Sequence, residues 1–456
     1  MKRLFVLLLV ASILISPLGN TTVFADTKTS SAKGTEETWP KGPKVNAESA
    51  ILMDVSSGLI LYEKNSHKKQ YPASITKIMT TLLAIENCSM GEIVTFSHDC
   101  VFGIETGSSH IGIDVDEKLT VEQALYAIML ASANEVSWGI GEHVSGSLKA
   151  FAKAMNTRAK ELGCTDTHFV NANGLHNDNH YTTVYDMALI SREAMKSSTF
   201  RKIISTKSYT IPPTNKHKEP NSFLNHHQML VGNKYPQYKY EYCIGGKTGY
   251  TTKAGSTLVT FAKKDDVELL CVVMRANGPA SSENEYTDTT SLFNWGFENF
   301  TQHDITGNTD LSSDTESPLF TKYNPIFDQT NSPLRLGTNT TILLPNGVDF
   351  EKAERKVNIY KNISLKDGEN IVGNVSYNYG GKTVGSTDII FDKTKAVTLT
   401  SLTKTRQINA KTVKGANTFN LKPIIITVII LFIIGCICLY ISILRKRKKN
   451  SRSYRF

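Results

Sequence analysis

Ser74 and Lys77 stand three residues apart at the head of an apolar run, Ile78, Met79, Leu82, Leu83 and Ile85. On a helix that spacing carries the lysine stem one turn along the face that holds the hydroxyl. A serine hydroxyl is a poor nucleophile at neutral pH and needs a neighbouring base. Lysine can serve only if its pKa is lowered, and a second cation nearby would lower it. A helix N-terminus beneath the pair adds N–H groups that favour negative charge growing on an attacked carbonyl. Alone, the pattern reads as an ordinary helix cap followed by a solvated lysine. Ser-x-x-Lys recurs at Ser30/Lys33, Ser66/Lys69 and Ser401/Lys404.

Two further segments carry polar groups where polar groups need a reason. Thr120 with Gln123 is a capping-box signal for an apolar helix from Val121 to Leu130, and a second apolar segment runs from Val136 to Val144. Ser132 and Asn134 fall in the turn between them, as a capping pair or as side chains of a site. Near residue 245 the pattern changes to strands. Lys247-Thr248-Gly249-Tyr250-Thr251, Gly255 to Ala262 and Val267 to Met274 predict an antiparallel meander with Lys247 at the start of a strand.

The remaining elements frame these segments. Ala50 to Asp54 and Leu59 to Glu63, split by Ser56-Ser57-Gly58, predict a hairpin, and Tyr71-Pro72-Ala73 delivers Ser74 to its helix. Ser147 to Leu162, closed by Gly163, is amphipathic, and Thr183 with Asp186 opens a helix through Met195. Phe169 to Leu175 reads as a loop. Ser282 with Glu285 caps a last helix through Tyr286, Phe293, Phe297 and Phe300. Strands and helices around a helical middle predict an α/β domain over residues 44–300.

The ends of this 456-residue chain are of different character. Lys2, Arg3, an apolar run from Leu4 to Ile15 and small residues to Ala25 read as a secretory signal over 1–25, and 26–43 as a flexible leader. Residues 301–318 are a polar linker. Short strands with glycine turns predict a small all-β domain over 319–398, followed by a polar stalk over 399–422. Residues 423–444 are an uncharged apolar stretch that predicts a transmembrane helix, and the basic tail 445–456 stays cytoplasmic by the positive-inside rule. The body then faces outside as the extracytoplasmic part of a single-pass protein of the cell membrane. The formal charge of +9 is carried by those two ends, so it gives no argument for a nucleic-acid partner. The widely spaced Cys88, Cys100, Cys164, Cys243 and Cys271 are no disulfide framework, though they leave room for one or two bridges.

Taken in order, Ser74-x-x-Lys77, Ser132-x-Asn134 and Lys247-Thr248-Gly249 form the triple shared by penicillin-binding proteins and serine β-lactamases. The chain resembles in particular the low-molecular-mass D-alanyl-D-alanine carboxypeptidases, as do Tyr71-Pro72-Ala73-Ser74, Asn173-Gly174-Leu175 and Thr182-Thr183 through Asp186-Met187-Ala188. The resemblance implies a penicillin-binding-protein-like antiparallel sheet with a helical subdomain, in a bacterial enzyme acting on peptidoglycan stem peptides and acylated by β-lactam antibiotics. It implies Ser74 as nucleophile, Lys77 as base, Ser132 as proton relay and Asn134 as holder of substrate and lysine. Lys247 and Thr248 would bind the substrate carboxylate, and Gly249 would let the substrate backbone lie along the strand. The backbone N–H groups of Ser74 and Tyr250 would form the oxyanion hole. No metal or cofactor is required. Tyr250 stands where some relatives carry histidine, and Ala133 where many carry glycine.

Other readings compete. A membrane-anchored β-lactamase shares the triple, but Glu219-Pro220-Asn221-Ser222-Phe223-Leu224-Asn225 is two residues too long, and too close to Lys247, for a deacylating glutamate loop. A non-catalytic penicillin sensor or scaffold would need a cytoplasmic output domain. His176 and His180 around Asp178 suggest metal ligands but lack a third placed partner. Arg275 could reach the substrate carboxylate or be a solvated strand-end arginine, and His226-His227 reads as a surface pair.

Overall fold

The computed structural model describes residues 39–276, 284–305, 333–337, 341–361 and 363–396. The expected signal, stalk, membrane span and basic tail lie outside the described residues, as does Ser282. Among the described residues no helix is long and apolar enough to cross a membrane.

The chain divides into two units. The first takes in the chain through Ile305 together with Thr341–Lys356 and Ser376–Ser386. Its centre is a five-stranded sheet built from β1 (Ser49–Asp54), β2 (Ile60–Lys64), β3 (Cys243–Thr251), β4 (Gly255–Lys264) and β5 (Val267–Met274) in the order β2-β1-β5-β4-β3. Every neighbouring pair is antiparallel. β1 and most of β5 are buried along their length, as expected of strands covered on both faces. β3 forms one edge.

Lys247 sits in the middle of β3 opposite Val259, and not at the start of the strand as its sequence context predicts. The strand takes in the glycine pair before it, Gly245-Gly246. Gly246 takes φ +156, and a β-carbon there would stand 1.9 Å from the carbonyl oxygen of Val259. Only glycine permits that approach.

The helical part holds α1 (Lys77–Asn87), α2 (Val121–Leu130), α3 (Asn134–Ser145), α4 (Leu148–Glu161), α5 (Val184–Ala194) and α6 (Ser198–Ser205), and α7 (Asn284–Asn299) follows the meander. Thr120 closes the predicted capping box with Gln123 on both sides, and Ser147 and Thr183 cap α4 and α5. α1 is buried from Lys77 to Ala84, which makes it a core helix. Its Ile78, Met79, Leu82 and Leu83 share one apolar core with α2, α3 and the inner residues of β4 and β5. A charged lysine at the head of such a helix is costly unless its surroundings answer for it.

From Leu334 on, the described strands are Leu334–Leu336, Thr341–Pro345, Glu354–Ile359, Glu369–Tyr379 and Lys382–Asp392, with a short 3₁₀ turn at Phe350–Lys352. Residues 301–304, expected as the head of the polar linker, together with Phe300, expected in the last helix, form a strand Phe300–Asp304 paired with Thr341–Pro345.

Candidate active site

Ser74 does not lie in the first turn of an α-helix. Pro72, at φ −74, leads into a turn of 3₁₀ helix over Ala73–Thr76, and Lys77 is the first residue of α1. In a 3₁₀ turn residues i and i+3 eclipse, so the tighter winding sets the lysine stem alongside the serine. Lys77 Nζ stands 3.0 Å from Ser74 Oγ. It also stands 2.7 Å from Asn134 Oδ1 and 2.7 Å from the carbonyl oxygen of Asn173. Both of those partners accept and neither can donate. A neutral amine has two N–H bonds and one lone pair, so its protons go to Asn134 and Asn173 and its lone pair faces the serine O–H. Burial pulls the Lys77 pKa well below its ordinary value, and the Lys247 ammonium pulls it further, while Glu135 opposes. That lowering favours the uncharged amine, whose lone pair can take the serine proton.

Asn134 is held from the other side. Its backbone N–H donates to Ser109 O at 2.9 Å. Neither it nor Ser132 is a capping residue, since the N-cap of α3 is Ala133, with no side-chain cap bond. Ser132 takes φ +60, a left-handed conformation that costs a non-glycine residue about 1–2 kcal/mol. Both side chains line the cleft that Ser74 lines.

Lys247 is buried, and its ammonium donates to the Thr248 carbonyl at 2.8 Å. Burial lowers its pKa to about 7. Gly249 brings the strand against the serine turn. A β-carbon there would lie 2.5 Å from Thr257 Oγ1, 2.8 Å from Ser74 N and 3.1 Å from Ile75 N. A side chain at 249 therefore meets the Thr257 hydroxyl and the backbone of the serine turn. Tyr250 follows, 69% exposed, and lines the cleft.

The cleft has a volume of about 380 Å³ and is lined by Ser74, Ser132, Asn134, Thr248, Gly249 and Tyr250 among others. The three segments that the sequence singled out, spread over residues 74–249, thus converge on one cavity. Sequence reasoning missed the Gly107-Ser108-Ser109 segment, His226, and Glu285 with Tyr286, all of which also line it. A signal for the first was the unexplained run of small polar residues after Thr106.

Asn173-Gly174-Leu175 has a definite task. Gly174 takes φ +86, and a β-carbon there would stand 1.9 Å from Ala73 O. The loop thereby packs its backbone on the serine turn and presents the Asn173 carbonyl to Lys77. His176, Asp178 and His180 do not converge. His176 Nε2 lies 3.2 Å from Asp178 Oδ1, while the buried His180 turns to Thr76 Oγ1 and the Val170 N–H. The surface pair His226-His227 is corrected in one member: His227 is buried, 3.1 Å from Thr260 Oγ1 and beneath Gly246. Arg275 pairs with Glu48 at 3.2 Å and lines a different cleft with Lys69 and Lys253. The five cysteines outside the expected membrane span are all free thiols.

Comparison with known proteins agrees with this geometry. The family model described as D-alanyl-D-alanine carboxypeptidase matches residues 35–278. The D-alanyl-D-alanine carboxypeptidase DacF of Bacillus subtilis is 34% identical over 266 residues, which are 57% of this chain and 64% of DacF. The Streptomyces K15 DD-transpeptidase structure superposes with TM-score 0.52 at 28% identity, covering 57% of this chain and all of that one. The structure of penicillin binding protein 5 from Haemophilus influenzae covers 77% of this chain and 98% of its own at TM-score 0.59 and 24% identity, a likeness of fold.

Proposed function

This chain belongs to the D-alanyl-D-alanine carboxypeptidase family of serine-type hydrolases, and from that membership we propose that it removes the terminal D-alanine of peptidoglycan stem pentapeptides through a Ser74 acyl-enzyme. The observation that carries the assignment of roles is the Lys77 amine, held by two acceptors with its remaining valence toward Ser74 Oγ.

Ser74 Oγ attacks the carbonyl carbon of the last peptide bond as its proton passes to Lys77 Nζ. The negative charge forming on the carbonyl oxygen faces the N–H groups of Ser74 and Tyr250. On collapse the C–N bond breaks, and the proton on Lys77 reaches the departing amine of D-alanine through Ser132 Oγ. Asn134 keeps Lys77 in place throughout and offers its amide N–H to the substrate backbone. Lys247 and Thr248 hold the terminal carboxylate, the one as a positive charge and the other as a hydroxyl donor. Water then attacks the ester carbonyl, its proton returns to Ser74 Oγ by way of Lys77, and the tetrapeptide leaves as a carboxylate. A β-lactam enters by the same first step, but its leaving nitrogen stays tethered, so the acyl-enzyme persists.

The test is D-alanine released from a muramyl pentapeptide, measured beside covalent labelling by a fluorescent penicillin. Wild type should do both, and Ser74→Ala should do neither. Release that persists in the alanine variant would refute the mechanism. Rapid penicillin turnover without D-alanine release would mark a β-lactamase instead.

A further inference from the structure

Behind the serine turn lies a second, buried chain of polar groups. The Val170 N–H donates to His180 Nδ1 at 3.0 Å. That nitrogen accepts, so it carries no proton, and the proton of the neutral ring sits on Nε2. Nε2 stands 2.9 Å from Thr76 Oγ1, to which it therefore donates. The Thr76 hydroxyl, with its lone pair so engaged, donates onward to Ala73 O at 2.8 Å. Ala73, Thr76 and His180 are all fully buried. Burial also drives the His180 pKa down to about 3, so the ring is neutral and the direction of the chain is fixed at any working pH.

The end of that chain is the peptide unit that joins Ala73 to Ser74. The unit is trans, as are all described peptide bonds, so its C=O and N–H point in opposite directions within one rigid plane. Fixing the Ala73 carbonyl therefore fixes where the Ser74 N–H points. Two further observations show that this peptide is held by its surroundings. Ala73 takes φ +49, a strained left-handed value for a residue with a side chain. The loop at Gly174 presses directly against the Ala73 carbonyl.

We propose that His180 and Thr76 are positioning residues for the oxyanion hole: their hydrogen-bond chain orients and polarises the Ala73–Ser74 peptide so that the Ser74 N–H meets the developing oxyanion. The polarisation follows from the same geometry, because a hydrogen bond accepted by a peptide carbonyl strengthens the N–H of that peptide as a donor. The inference rests on the assignment of the Ser74 N–H as an oxyanion donor. It adds a role for a histidine that touches no substrate.

The test compares Thr76→Val, which keeps shape and loses the hydroxyl, with Thr76→Ser, which restores it. His180→Ala is compared with His180→Gln, whose amide can accept from Val170 and donate to Thr76. Acylation by a chromogenic cephalosporin and D-alanine release are measured in the full chain. Thr76→Val and His180→Ala should lower kcat and the acylation rate by roughly tenfold or more, short of the loss for deleting a donor outright, with KM little changed. The pH profile should keep its wild-type midpoints, since Lys77 and Lys247 are untouched, and Thr76→Ser and His180→Gln should recover most of the rate. Infrared spectra of the penicilloyl-enzyme supply a readout that general loosening would not reproduce. The ester carbonyl band should move to higher frequency in Thr76→Val and return in Thr76→Ser. If Thr76→Val fails to fold, the same band in His180→Ala and His180→Gln decides. Unchanged acylation and an unmoved band would overturn this inference while leaving the Ser74 mechanism standing, whereas activity in Ser74→Ala would overturn the mechanism itself.

Discussion

Gly249 and Ser74 are so close that a β-carbon on the glycine would stand 2.8 Å from the serine's amide nitrogen. The glycine of the Lys-Thr-Gly segment is thus required by the protein's own packing, before any substrate arrives. Gly249→Ala must part β3 from the serine turn, at an overpacking cost of about 1–3 kcal/mol. The displaced pair includes both proposed oxyanion donors, so acylation should fall roughly a hundredfold, within the range for loss of one such donor. Stopped-flow labelling beside a thermal melt checks this. A folded variant with wild-type acylation would show that the strand yields without moving the site.

Asn134 gives a test of charge. Its Oδ1 lies 2.7 Å from Lys77 Nζ, and Asn134→Asp places a carboxylate there with little change in shape. An opposite charge at that distance favours the ammonium form of Lys77 and raises its pKa, the reverse of what burial and Lys247 do. Acylation at pH 7 should drop on the order of a hundredfold, as expected of removing a general base. It should recover in part as pH is raised, because alkali frees the amine again. A variant equally impaired at every pH would mean that Asn134 acts through substrate contact alone.

The site was more legible in the sequence than the scaffold around it. Ser74, Lys77, Ser132, Asn134 and Lys247 are polar residues at positions where apolar periodicity leaves them unexplained, and all five reach one region of the structure. The Thr120 box and the Thr183 start of α5 were legible because their partners lie three residues away. The strand Phe300–Asp304 was not, because Thr301, Gln302, His303 and Asp304 read as linker and its partner lies some forty residues on. The hairpin of Ser208–Ile211 with Asn221–Leu224 was missed for the same reason, since its connection is long and polar. His180 suggested a metal ligand because a sequence shows residue types and not the Thr76 hydroxyl waiting 104 positions earlier.

Stability and activity should separate at the cap of α2. Thr120 Oγ1 accepts from the Gln123 N–H, the Thr120 N–H donates in return to Gln123 Oε1, and Thr120 lines none of the cleft. Thr120→Ala should cost about 1 kcal/mol, the usual value of an N-cap, with kcat/KM unchanged at temperatures well below the melt. Denaturant unfolding gives the first quantity and D-alanine release the second. A loss of activity larger than the loss of folded protein would tie α2 to the chemistry.

Lys247 should show the opposite trade, with a definite sign in pH. Its pKa is about 7 in the folded protein against 10.5 for the free side chain, a depression caused by burial. Between those values the unfolded chain binds more protons than the folded one, so this group makes stability rise with pH by up to about 1.4 kcal/mol per unit. Below about pH 7 the folded lysine is charged as well, and the full penalty of the buried ammonium is felt. Lys247→Met removes that penalty. The variant should melt higher than wild type at pH 7, and the gap should narrow steadily toward pH 10. Activity moves the other way for two reasons: the substrate carboxylate loses its cation, and Lys77 loses the neighbour that helps to keep it neutral. The acid limb of kcat should therefore shift to higher pH while KM rises. Melting curves across pH 6–10 and a kcat profile over the same range decide the matter, and a gap in melting temperature that does not shrink with pH would mean that Lys247 is neutral or solvated at pH 7.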